Sequence, residues 1–393
     1  MKKILLVVDE FLPISTAGAI RLNSFVKELR KKYEVNVLGG DERYLYNNGY
    51  DFFDDVEYYT IKRPDDKKVL APFKFLSYFI RFNLKLIELV KKNNYDLVFV
   101  SIPRYEFLDS IVRLGMHTKY VLDIRDLLDS SNYELIFRQF LPVFISRIIA
   151  KKFEGRKNIL LKKAIAKSTI TSLAYKGLYD YYMKVLPEFK SKLVYIPNGV
   201  DLENFPKVKK QYSNDKIRLF YLGNFAEKDY LKQIIQVIGR SDIKNKVSFV
   251  FVGEGRNKEN IMRLVYKYNL DGIFKGRIHH SKVHLVSDEV DIGIILRDKQ
   301  MPTLLPVSVV EYMAMGLPVI VNDYSELGEF VRESKSGYII KEVEELPELL
   351  KRLIGKNKEF QKLGNYNRSY IERNLDRAKI AKDLMNKVVD KCI

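Results

Sequence analysis

Short, β-rich apolar runs alternate with longer helical patterns along most of this 393-residue chain, and that alternation constrains its fold more than any other feature. In the first half the runs are Ile4–Asp9, Val35–Leu38, Val56–Ile61, Leu97–Ser101, Tyr120–Ile124, Ser168–Ser172 and Leu193–Ile196. In the second half they are Leu219–Gly223, Val247–Gly253, Ile292–Leu296 and Pro318–Asn322. Several are apolar at consecutive positions, as expected of strands covered on both faces. Between them lie stretches such as AIRLNSFVKELRKK, YLKQIIQVIGR and NKENIMRLVYKY, with apolar residues at helical spacing. A βαβ rhythm in both halves predicts an α/β chain of two Rossmann-like, doubly wound domains.

The length agrees, since 393 residues exceed what one core usually serves. The polar, turn-forming stretch NGVDLENFPKVKKQYSNDKIR, after Pro197, sets the boundary. It separates a first domain over residues 1–200 from a second over residues 201–373. The remaining segment, 374–393, carries the amphipathic pattern DRAKIAKDLMNKVV with no strand after it, and is expected to pack back on the first domain. Two such domains facing each other would bring the C-terminal ends of both sheets to a cleft, the edge at which open α/β sheets bind ligands.

Charge narrows the partners. Lys and Arg outnumber Asp and Glu by 68 to 50, a net +18 that suits phosphorylated metabolites, nucleic acid or an acidic membrane surface. Half of that excess lies between Leu135 and Lys190, which hold twelve Lys/Arg and three acids. LIFRQFLPVFISRIIAKKF, from Leu135, and LAPFKFLSYFIRFNLKLIELVKK, from Leu70, mix aromatic and aliphatic residues with cations. Such segments either rest on an anionic bilayer or pack their apolar faces into a core behind a solvated cationic rim. No nucleic-acid module is recognisable, and the basic excess is concentrated rather than interleaved with aromatic platforms.

The only cysteine, Cys392, excludes an intrachain disulfide framework and suggests a reducing compartment. The apolar part of MKKILLVVDE is too short for a signal peptide, and no uncharged run approaches the length of a membrane span. A cytoplasmic protein, soluble or peripheral on the cytoplasmic face of the membrane, is the expectation. GEGRNK at Gly253–Lys258 has Lys258 where a dinucleotide fingerprint needs its third glycine, and there is no P-loop. His280 and His284 are four residues apart beside His279, but lack a clear further ligand, so a solvated loop and helix start is expected there. With no Asp-x-Asp motif either, neither metal nor cofactor is expected.

Within LLPVSVVEYMAMGLPVIVND, Glu311 is the one acid in a long apolar run. Pro306 and Gly316 delimit a helix over roughly Val307–Met315, followed by a strand from Pro318. A helix N-terminus at a cleft favours phosphate through its free N–H groups and dipole, and Glu311 beside it could accept hydrogen bonds from sugar hydroxyls. The other reading is a buried glutamate paired with Lys or Arg from a neighbouring element.

That segment resembles the donor-site segment of retaining glycosyltransferases of the GT-B fold, specifically glycosyltransferase family 4. Four further stretches agree with that family in order. ILLVVDEFLPISTAGAIRLNSFVKEL resembles its first strand, glycine loop and helix, with Gly18 in the loop. YVLDIRDLLDSS resembles the D-x-R-D-x-W segment of a subgroup acting on lipid-linked acceptors, with Leu128 where that subgroup has tryptophan. LVYIPNGVDLENF is similar to the interdomain P-N-G-V-D element, and RLFYLGNFAEKDYLKQIIQVI to the loop that opens the second domain. Thr303 stands where the family often has the first Glu of E-x7-E, Asn224 where relatives often have arginine, and Ser308 where the subgroup tends to have lysine.

The resemblance implies a metal-independent hexosyltransferase that takes a nucleotide-sugar as co-substrate and retains anomeric configuration. Its acceptor would be a lipid-linked or cell-surface polysaccharide or glycolipid. A GT-B nucleotide-sugar epimerase, or a non-enzymatic binder of nucleic acid or anionic surfaces, are the alternatives. Donor contacts are implied for Gly223, Asn224, Lys228, Thr303, Ser308, Glu311, Asn198 and Gly199, and acceptor contacts for Gly18, Arg21, Arg125 and Asp126. Lys228 would stabilise the leaving diphosphate, or be an ordinary surface lysine. Asp126 would bind or deprotonate the acceptor hydroxyl, or cap the helix after it. Arg125 would pair with an acceptor phosphate or with Asp123. Asn198 and Gly199 would touch the donor or merely form a hinge turn, and Gly18 would allow close approach of ligand or only a tight turn.

Overall fold

The computed structural model describes residues 1–8, 17–40, 53–62, 71–102, 107–114, 118–125, 142–207, 212, 215–225, 230–298 and 304–393. The chain divides into two compact units, one of Met1–Asn198 with Ala378–Ile393 and the other of Gly199–Arg377.

The first unit is built on a seven-stranded sheet: β1 (Lys3–Val8), β2 (Glu34–Gly40), β3 (Glu57–Ile61), β4 (Leu97–Ile102), β5 (Tyr120–Ile124), β6 (Ile170–Leu173) and β7 (Leu193–Tyr195). Its order is β3-β2-β1-β4-β5-β6-β7, with each neighbouring pair parallel. That order reverses between β1 and β4, the position at which doubly wound sheets open a crevice at their C-terminal edge. Ile4 to Val8 are buried throughout, which is why β1 reads as an uninterrupted apolar run. The C-terminal segment belongs to this unit: Lys32 and Tyr33 bond Asp390, while Lys2 and Lys119 donate to the carbonyls of Ile393 and Cys392.

The second unit carries a six-stranded sheet of β8 (Ile217–Leu222), β9 (Val247–Val252), β10 (Asp271–Phe274), β11 (Ile292–Ile295), β12 (Val319–Asn322) and β13 (Gly337–Ile340). Its order, β10-β9-β8-β11-β12-β13, is again wholly parallel and again reverses about its first strand. Phe249 and Phe251 of β9 and Ile292 and Ile294 of β11 join the helix Leu231–Gly239 in one core, to which that helix gives Leu231, Ile234, Ile235 and Ile238. These apolar positions recur at helical spacing, so a single stripe meets the sheet. At the start of this unit, Val200 forms a parallel bridge with Asp376, and Arg377 bonds Asp201 and the carbonyl of Gly199.

The fold class is the one the alternation predicts: α/β, with two parallel sheets and helices. Two strands escape the apolar-run pattern, β10 and β13. Both are edge strands of four residues, partly exposed, so they lack the unbroken apolar signature of their neighbours.

Candidate active site

In the second unit, the chain leaves β8 through Gly223 and Asn224 and is seated on the turn that follows β9. Gly223 N donates to Val252 O at 3.0 Å, Phe225 N to Glu254 O at 3.1 Å, and Tyr221 Oη to Asn224 O at 2.8 Å. Gly253 in that turn has φ +138°, and a Cβ there would stand 1.8 Å from the Gly223 carbonyl oxygen. Both facts demand glycine. GEGR is thus not a dinucleotide fingerprint but the seat of the 223–225 loop.

The helix Val307–Ala314 is tied to this end of β8. Pro306 stands before its first turn, Gly316 at φ +69° follows its last, and Pro318 forbids continuation. Tyr312 ties the helix to β8: Leu222 N donates to its Oη at 2.7 Å. Its ring covers Gly293, where a Cβ would lie 2.3 Å from the ring. Glu311 and the half-buried Ser308 lie on the helix that Tyr312 ties to the end of β8, from which Gly223 and Asn224 lead.

Glu311 has a partner. His280 Nε2 lies 2.6 Å from Glu311 Oε1, and the two side chains are only 12% and 9% exposed. His280 opens the ten-residue 3-10 helix His280–Glu289, and its ring meets Phe205 edge-on at 5.6 Å. The helix start expected at these histidines is present, but the expected solvation is corrected, since His280 is enclosed between Phe205 and Glu311. The partner left open between Lys and Arg is a histidine. A nearly buried carboxylate needs such a donor. Among the described residues, Glu311 Oε2 has no protein hydrogen bond, and it is not among the buried atoms left without a partner. One oxygen is tied to His280 and the other is not engaged by protein among the described residues.

In the first unit, strand register assembles a different cluster. Ser101, Asp123 and Ser172 are aligned across β4, β5 and β6, so the three side chains share one face. Both serine hydroxyls donate to Asp123 at 2.7 Å. Arg21 Nη1 bonds both carboxylate oxygens at 3.0 and 2.9 Å, and Nη2 donates to Ile196 O at 2.8 Å. Arg21 and Asp123 are both 0% exposed. Arg21 is thus not the acceptor contact the resemblance implies: fully enclosed, it offers no surface to a ligand. Arg125 is accordingly not the partner that holds Asp123. Its guanidinium instead lies against Gly18, where a Cβ would stand 1.5 Å from Nη1. Gly18 and Arg125 are therefore neighbours at the C-terminal edge of β5 and the start of helix Ala17–Leu29.

Asn198 and Gly199 fall where the two units are divided, and Gly199 is buried with φ +59°. Lys228, Thr303 and Asp126 lie outside the described residues. Among those described, no group of three or more His, Cys, Asp or Glu side chains could hold a metal ion. His280 and Tyr312 are the residues sequence reasoning missed. For His280 the spacing to His284 was legible, but its partner lies 31 residues away.

Residues 203–370, within the second unit, match the family model described as Glycosyl transferases group 1. A curated relative, an uncharacterized 41.2 kDa protein in the cps region of Klebsiella pneumoniae, is 24% identical over 65% of this chain and 68% of its own. Among solved structures, sucrose-phosphate synthase from Thermosynechococcus elongatus superposes with a TM-score of 0.77 at 13% identity, over 100% of this chain and 99% of its own. The Anabaena protein HepE, solved in complex with UDP-glucose, gives 0.67 at 12% identity over 99% and 100%. The chain therefore shares the two-sheet α/β fold of these structures, and residues 203–370 of its second unit match the glycosyl transferases group 1 model.

Proposed function

We propose that this protein moves a hexose from a nucleotide-diphosphate sugar to an acceptor hydroxyl, retaining anomeric configuration and using neither metal nor cofactor. The observation that carries the reading is Glu311. It is a nearly buried acid with one oxygen tied to His280 and the other without a protein hydrogen bond among the described residues, on the helix that Tyr312 ties to the end of β8 before Gly223 and Asn224. It falls inside the residues that match the glycosyl transferases group 1 model. The UDP-glucose bound by the Anabaena protein makes a nucleotide-sugar the natural donor to test.

In this reading Glu311 Oε2 accepts hydrogen bonds from the ribose hydroxyls of the donor. Gly223, Asn224, Ser308 and Thr303 line the diphosphate and sugar, with Asn198 and Gly199 contributing from the chain before β8. Negative charge grows on the departing diphosphate, so fixed positive groups act mainly in the transition state. Lys228 and the N–H groups of the helix before Glu311 supply it. A cation about 4 Å from that charge is worth roughly 4 kcal/mol at an effective dielectric of 20. If a third of this is differential, the rate gains about tenfold. In the first unit, Asp126 receives the proton of the acceptor hydroxyl, while Arg125 and Gly18 face the acceptor. Arg21 contributes only by holding Asp123.

The test uses purified protein with a panel of nucleotide-sugars, adding a membrane lipid extract as acceptor. Release of nucleoside diphosphate that rises with the extract is expected. Interconversion of the sugar with no release would indicate an epimerase instead, and no reaction with any donor would overturn the reading.

The acceptor side is proposed to work at an anionic bilayer, on a lipid-linked substrate for cell-surface polysaccharide or glycolipid. Helix Val143–Lys167 supports this. Phe144, Ile148, Gly155 and Ile159 recur at helical spacing along one outward face, and each of the three large side chains is more than half exposed. Lys151, Lys152, Arg156 and Lys163 flank them, also exposed. Tyr181 and Val185 on the helix Lys176–Val185 add exposed apolar surface, with Lys184 between them. An apolar stripe rimmed by cations suits an anionic lipid surface, where each cation near the headgroups is worth about 1 kcal/mol. No described helix is long and apolar enough to cross a membrane. Flotation with phosphatidylglycerol vesicles at low salt should be strong for the parent protein and largely lost for a Phe144→Ser, Ile148→Ser variant. Equal flotation of both, or none of either, contradicts this surface.

A further inference from the structure

We propose that His280 is a positioning residue for the donor site: by donating to Glu311 Oε1 it fixes the carboxylate so that Oε2 faces the vicinal hydroxyls of the donor's ribose. The inference rests on the proposed nucleotide-sugar site and adds to it a residue from a separate element. The pairing joins the first residue of the 3-10 helix His280–Glu289 to the middle of helix Val307–Ala314, across 31 residues of sequence.

Three features of the pair support a positioning role over simple burial. First, the contact is short and specific, 2.6 Å from Nε2 to one carboxylate oxygen. A carboxylate oxygen accepts, so in this pair Nε2 of the imidazole is the donor. Second, the imidazole is itself held. Phe205 packs edge-on against its face at 5.6 Å and 79°. The Phe205 carbonyl accepts from Arg368, whose Nη1 also donates to Ala314 O at 2.8 Å, the last residue of the helix that bears Glu311. Phe205, Arg368 and the helix end thus form one frame around the pair. Third, Glu311 Oε2 has no hydrogen bond among the described residues. A carboxylate tied at one oxygen loses rotation about its final bond and presents the other in a fixed direction, so less ordering remains when a ligand binds. Without His280, the same carboxylate would sit nearly buried with neither oxygen engaged by protein. It would then be free to turn.

The experiment compares the affinities of a nucleoside diphosphate and its 2′,3′-dideoxy analogue, taking UDP first and then GDP, ADP and CDP. The wild type, His280→Ala and His280→Gln are each titrated. Glutamine can place its amide N–H near the position of the imidazole Nε2. The wild type should prefer the ribonucleotide by at least tenfold. His280→Ala should lose most of that preference while binding the dideoxy analogue about as well as the wild type, and His280→Gln should restore it. A merely structural loss would weaken both nucleotides together and leave their ratio unchanged, and that result overturns the inference. Should the wild type bind ribonucleotides with no preference, the ribose contact of Glu311 is wrong and His280 has nothing to position. If the wild type binds none of the four diphosphates, the proposed function itself falls, and this inference with it.

Discussion

Arg21→Met should destabilise the first unit by about 3–5 kcal/mol, because it leaves the fully buried Asp123 carboxylate without its cation. For a unit of this size each kcal/mol moves the midpoint by about 2–4 °C, so thermal unfolding should fall by roughly 10 °C. The serine hydroxyls of Ser101 and Ser172 remain, yet two neutral donors do not balance a charge that loses a bidentate guanidinium. The double variant Arg21→Met, Asp123→Leu should lose less than the single one, since removing both charges leaves none uncompensated. A single variant melting within a degree or two of the parent would show that the pair is not closed to water as described.

Glu311→Ala should lower turnover at least tenfold while leaving the fold intact. A hydrogen bond to a charged group is worth about 1.5–3 kcal/mol, which is roughly 10- to 100-fold in rate when it is needed to orient the donor. The fold survives because Tyr312, not Glu311, ties the helix to β8, and because its end is closed by backbone bonds such as Leu317 N to Tyr312 O at 2.9 Å. Steady-state rates with the preferred nucleotide-sugar, alongside an unfolding midpoint, separate the two effects. A normal rate would remove Glu311 from the site. Lys228→Ala carries the same tenfold expectation through the leaving group.

What could be read from the sequence divides along physical lines. Strands buried on both faces announce themselves as consecutive apolar residues, so β1, β4, β8 and β12 are legible almost to their ends. Edge strands β10 and β13 are partly exposed, so their pattern is broken. The helix around Glu311 is legible because Pro306, Gly316 and Pro318 act locally, through fixed φ, a left-handed φ and a missing N–H. Partners are another matter. Asp123 has Arg125 two residues away as its local candidate, yet the cation that holds it is Arg21 on the first helix. The choice follows from the alignment of β4, β5 and β6 and from the packing that brings Arg21 to Asp123 across 102 residues, which no local pattern encodes. His280 was legible as a histidine four residues from another, a spacing that draws attention to metals. Its actual partner is fixed by the packing of two helices distant in sequence.

The central claim is that the second unit binds a nucleotide-sugar through Glu311. Calorimetric titration of UDP-glucose, followed by other nucleotide-sugars, into the wild type and Glu311→Ala tests it most directly. The account predicts saturable one-to-one binding of at least one of them by the wild type, weakened at least tenfold in the variant. Binding of none, or equal affinity in both proteins, would contradict it.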